Sequence, residues 1–145
     1  MLVLTPDETR QLLSAVDRSD IWGPRNYALV SFLFHTGLRV GELVALNVEH
    51  VSADGQAVRD VLHLPSEAAK FHHARLVPLN AGAQKAVRTI LAWNARYGFS
   101  VESGSPLLVT RKHTRMSDRS VQALFVTLRT KAGLDSRLKR DDGVG

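Results

Sequence analysis

The sequence predicts an α+β fold, mainly α-helical with a small three-stranded antiparallel sheet. Three observations carry this. Apolar residues recur at helical spacing in five separate stretches. Between about residues 50 and 79 the pattern shortens toward alternation. A chain of 145 residues, 44% hydrophobic and 23% charged, suits one core and excludes a disordered chain.

The elements follow in order. Thr5-Pro6-Asp7-Glu8 opens the first helix: Thr5 caps, Pro6 fits the first turn and Glu8 completes a capping box. It runs to about Val16, with Leu12, Leu13 and Val16 inward. Gly23-Pro24 opens a second helix whose body, Tyr27 to Phe34, is almost wholly apolar and therefore buried. Gly37 stops it in the left-handed conformation. A short helix spans about Val40 to Leu46. Three extended pieces come next: His50 to Asp54, ended by an Asp54-Gly55 turn, then Val58 to Leu64, then Arg75 to Leu79. Asn80 caps a helix to about Tyr97, and residues 98–106 form a Gly/Ser-rich loop. After a brief extended run from Pro106 to Thr110, Ser117 caps the last helix, with Val121, Leu124, Phe125 and Leu128 inward, and Gly133 ends it. One domain over 1–138 and a flexible tail over 139–145 are expected.

Some functions are excluded early. The chain has no cysteine, so disulfides, thiolate metal sites and a cysteine nucleophile are out. No apolar run approaches the roughly 20 residues of a membrane span, and no leader pattern opens the chain, so a cytoplasmic location is expected without a membrane partner. The net charge of +5 is unevenly placed. Residues 1–110 balance to zero, while 111–145 hold Arg111, Lys112, Arg115, Arg119, Arg129, Lys131, Arg137, Lys139 and Arg140 against four aspartates. This asymmetry fits a polyanion partner, or equally a solvated helix face with a basic tail.

Two segments carry chemistry. In Thr36-Gly37-Leu38-Arg39-Val40-Gly41-Glu42-Leu43, a buried helix stops and an arginine stands at the mouth of the next. A helix start offers free N–H groups and a positive dipole end, and a guanidinium there suits a phosphate clamp. Glu42, three residues on, can pair with Arg39 and orient it. The plainer reading is a surface ion pair. The second segment, Lys70 to Leu79, places Lys70 in or beside a hairpin turn, from which an ammonium can protonate a leaving oxygen; an idle loop lysine is the commoner case. His72-His73 suggests a metal pair, but adjacent residues rarely hold one ion and no third ligand lies at ligand spacing, so no metal site is predicted.

This ordered set resembles the catalytic domain of the tyrosine recombinases, the phage integrases and Xer-type recombinases. The resemblance rests on the Arg39 motif, on Arg75 followed by Val77-Pro78-Leu79 some thirty residues later, and on Lys70 five residues before Arg75. The stretch from Pro106 through the Ser117 helix to Ala132-Gly133-Leu134-Asp135 also resembles the family. It implies a partial tyrosine-recombinase fold over residues 4 to about 138, with Arg39 on the scissile phosphate, Lys70 as proton donor and Glu42 in support. It further implies DNA strand transesterification with no cofactor on double-stranded DNA, contacted by Arg39, Lys70 and Arg75; the basic tally after residue 110 adds Arg111, Lys112, Arg115 and Arg119 as expected DNA contacts. The family's later His-x-x-Arg box and tyrosine nucleophile find no counterpart here: Tyr27 and Tyr97 both lie upstream, in helices. The chain alone is therefore expected to be catalytically incomplete. Three readings stay open: a DNA-binding recombinase fragment, a module that pairs with itself or with a full-length recombinase, and an unrelated metal hydrolase using His72, His73 and His113.

Overall fold

The computed structural model describes residues 5–65 and 74–134. It contains six helices and two strands among them, in the order α1 (Pro6–Ala15), α2 (Gly23–Thr36), α3 (Val40–Val44), α4 (Val48–Val51), β1 (Val61–Leu64), β2 (Arg75–Pro78), α5 (Ala81–Arg96) and α6 (Asp118–Ala132). The expected caps explain several boundaries. Thr5 Oγ1 accepts from the Glu8 N–H at 3.1 Å while Glu8 Oε1 accepts from the Thr5 N–H at 2.9 Å, a complete capping box. Asn80 Oδ1 accepts from the Ala83 N–H to open α5. Gly133 ends α6 at φ 78°.

Helix α2 is the centre of the molecule. Ala28, Leu29, Val30 and Phe32 are buried, and α5 lies along it with Ala83, Ala86, Val87, Ile90 and Leu91 facing inward. Gly82 makes that approach close: a Cβ at this position would stand 2.3 Å from the His35 ring of α2. Helix α1 packs on α6, and α3 touches both the core, through Leu43, and α6. The one sheet among the described residues is antiparallel, pairing Val61 with Pro78, Leu62 with Val77, His63 with Leu76 and Leu64 with Arg75. Leu62, Leu64 and Val77 face the core, and His63 and Leu76 are exposed.

The sheet has two strands among the described residues, where three were expected. The segment read as the first strand begins instead with α4. Val48 and Val51 are both buried three residues apart, a helical spacing, and His50 Nδ1 accepts from the Asn47 N–H at 2.9 Å, closing the turn. Valine's β preference misleads here, because burial outweighs propensity. The Asp54-Gly55 turn itself is present, with Gly55 at φ 80°. Pro106 to Thr110 makes only two isolated bridges, Asn47 with Pro106 and Val109 with Arg115. The 139–145 tail lies outside the described residues.

Candidate phosphate-binding site

Arg39 stands at the N-cap of α3 because Gly37 ends α2 immediately before it. Gly37 takes φ 69° and returns its N–H to the Leu33 carbonyl at 2.9 Å. Leu38 is then buried, which anchors the link, and Arg39 is exposed in extended conformation. The next helix therefore starts with a guanidinium at its positive end.

Glu42 organises this corner. Its Oε1 accepts the Arg39 backbone N–H at 2.9 Å and Nη2 of Arg75 at 2.9 Å. The carboxylate is 3% exposed and the Arg75 side chain 48% exposed. One buried acid thus ties the start of α3 to the first residue of β2. The strand alternation explains why Arg75 reaches it: Arg75 and Val77 share a face, and Val77 points into the core. The first turn of α6 joins the same corner, since a Cβ on Gly41 would stand 3.4 Å from Oδ2 of Asp118. Arg119, the next residue, is exposed there.

The remaining expected DNA contacts are placed differently. Arg115 donates through Nη1 to the Val44 and Leu46 carbonyls, each at 3.0 Å, and through Nη2 to Asn47 Oδ1. It serves the carbonyl end of α3, where a cation is favoured. Arg111 and Lys112 are exposed on the turn from Thr110 to Thr114, and the Arg111 guanidinium lies 5.8 Å from the Trp22 ring, beside the start of α2. The structure so brings together Arg39, Glu42 and Arg75, with Arg119 close by, and puts Arg111 and Lys112 in another group. Lys70, His72 and His73 lie outside the described residues.

Sequence reasoning missed Arg25. This residue of α2 is 4% exposed and carries the one strongly displaced basic group among the described residues. Its signal was visible: an arginine two residues after Gly23 in an otherwise apolar helix.

The fold and this corner define a class. The model of the phage integrase family matches residues 2–142, so the chain belongs to that family. Among its relatives, the tyrosine recombinase XerD of Corynebacterium glutamicum is 33% identical over 135 residues, covering 91% of this chain and 42% of that protein. The tyrosine recombinase XerC of Caldanaerobacter subterraneus is 27% identical over 139 residues, covering 94% and 35%. The crystal structure of XerA recombinase superposes with a TM-score of 0.68 at 27% identity, covering 92% of this chain and 44% of that one. The chain thus spans less than half the length of these relatives and is related to site-specific tyrosine recombinases.

Proposed function

We propose that this chain is the phosphate-holding part of a tyrosine recombinase and binds double-stranded DNA through the corner built on Arg39. One observation carries the reading: the buried Glu42 carboxylate holds both the Arg39 backbone and the Arg75 guanidinium, so the backbone that carries Arg39 and the Arg75 cation are held in place before any ligand arrives. Preorganised donors are what developing charge on a phosphate requires. Arg39 is assigned to the scissile phosphate, Glu42 to its support and Lys70 to proton donation. Arg75 and Arg119 add phosphate contacts from flanking elements, Arg111 and Lys112 extend the basic surface, and Arg115 is spent on the carbonyl end of α3.

Alone, the chain should not cut DNA. Tyr27 is half-buried with the Arg18 guanidinium 4.4 Å from its ring centre, and Tyr97 ends α5 with its ring 5.0 Å from that of Trp93. Both rings are engaged away from the Arg39 corner. Titration of a labelled duplex at several salt concentrations tests the binding. Affinity should fall steeply with salt, by a slope of about −0.9 for each neutralised phosphate, and Arg39→Ala should weaken it about tenfold. Salt-independent affinity, or full affinity in Arg39→Ala, would refute the assignment. With a suicide substrate, no covalent adduct should appear on a denaturing gel.

A complex with a second copy or with a full-length recombinase is the other reading. It is favoured by the large apolar side chains left in water, Phe34 at 46%, Leu76 at 65% and Val126 at 47% exposure. Light scattering against protein concentration would detect the self-association.

A further inference from the structure

The opposite end of α2 holds a second cationic hollow. Its lining is Asp20, Trp22, Arg25, Asn26, Val109, Thr110, Arg111 and Met116, around a volume of about 290 Å³. Fourteen helical residues separate this end from the Gly37 stop, which is about 20 Å at 1.5 Å per residue. It is therefore not part of the Arg39 corner.

Three features converge there. First, Arg25 is a buried cation that forms no ion pair among the described residues. Its Nη1 donates to the Val109 carbonyl at 2.9 Å and its Nε to Asn26 Oδ1 at 3.2 Å. Its guanidinium carbon lies 4.9 Å from the Trp22 ring centre and 5.4 Å from that of Trp93. Its Nη2 has no protein acceptor among the described residues. Second, Arg111 approaches the Trp22 ring from the 110–114 turn, bringing a second guanidinium to the same wall. Third, the first turn of α2 has no side-chain cap, and its Arg25 N–H has no partner among the described residues, whereas the Gly23 N–H is taken by the Asp20 carbonyl at 2.9 Å. The one carboxylate in the lining, Asp20, accepts the Trp22 N–H through Oδ1 at 3.1 Å.

We infer that this hollow is a binding site for a phosphoryl oxyanion, held between Arg25, Arg111 and the start of α2. Guanidinium groups present paired donors that match phosphate oxygens, and an anion here would compensate a charge that forms no ion pair among the described residues. Burial pushes the Arg25 guanidinium down to about 10, so it stays charged at neutral pH. His113, in the same turn as Arg111, holds φ 63°, and its ring rests 4.4 Å from that of Phe99. The phosphoryl group could come from free phosphate or from the backbone of DNA. The inference does not rest on the DNA-binding reading.

Titration with inorganic phosphate, followed by tryptophan fluorescence and by the shift in Tm, tests it. Trp22 lines the hollow, so a saturable change is expected that sodium chloride at equal ionic strength does not reproduce. Arg111→Ala and Arg111→Gln, both at an exposed position, should weaken the response at least about tenfold. Lys85→Ala, an exposed cation of α5 outside both the hollow and the Arg39 corner, should leave it within about twofold. If a duplex displaces phosphate in competition, backbone phosphate is the source. If phosphate still binds the DNA-loaded protein, free phosphate is the source. An unchanged response in both Arg111 variants, a response matched by sodium chloride, or no saturable response in the wild type would overturn the assignment.

Discussion

At the residue scale, Glu42 does what a helix-start carboxylate can do only when buried. In water, a pair three residues apart on a helix is worth about 0.2–0.5 kcal/mol. Here the carboxylate satisfies one backbone donor and one guanidinium from a distant strand, and it has left water to do so. Glu42→Ala strands a backbone N–H and a guanidinium, and should cost about 1–3 kcal/mol in urea unfolding. Glu42→Gln keeps an acceptor and should lose less. Arg75→Ala, whose side chain is half in water, should lose under about 1 kcal/mol. An Arg75→Ala loss equal to that of Glu42→Ala would mean that the ion pair, rather than the helix start, dominates. The sequence placed Glu42 beside Arg39 by its three-residue offset; the bond to the Arg39 backbone N–H came from the structure. The pairing with Arg75 was not, because 33 residues separate the two and only the sheet register brings them together.

At the element scale, two short pieces decide where the cations point. Gly37 separates α2 from α3, and a Cβ there would meet nothing within 4 Å. The requirement is therefore purely the left-handed backbone. Gly37→Ala should cost about 1 kcal/mol by thermal unfolding, without any repacking. The turn after α4 depends on Asp54. Its Oδ1 accepts the Gln56 and Ala57 N–H groups at 2.9 and 2.8 Å, and these bonds hold its carboxyl below the ordinary value of 3.8. The folded pKa is depressed, so the contribution is complete above 3.8 and is lost as pH falls through the folded value. Amide exchange at Gln56 and Ala57 should accelerate in that acid range in the wild type. In Asp54→Asn this acid-range acceleration should be absent. Acceleration of equal size in both proteins would assign the acid limb to other groups. The sequence announced this turn through Asp54-Gly55. It did not announce that α4 precedes it, because valines at positions 48 and 51 suit a strand and a buried helical turn alike.

At the scale of the whole molecule, the core is continuous from α2 to α5, and Phe32 is fully buried within it. Phe32→Ala should cost about 3–5 kcal/mol and weaken every function together. Arg39→Ala should leave urea stability within about 0.5 kcal/mol while weakening DNA binding, since its side chain is exposed. That contrast separates the recognition surface from the frame beneath it. Five of the six helices, several of their caps, most of their core positions and the kinship to the recombinases could be read from residue order, because each rests on neighbours within about four positions or on a compact motif. Tertiary structure alone decided how the basic residues divide. Arg39 and Arg75 are tied through Glu42 at one end of α2, with Arg119 on the neighbouring first turn of α6, Arg111 joins Arg25 at the other end, and Arg115 turns inward to the end of α3. Charge counted along a chain carries no direction; direction comes from which helix ends, strand faces and turns carry each cation, and those are set by long-range packing.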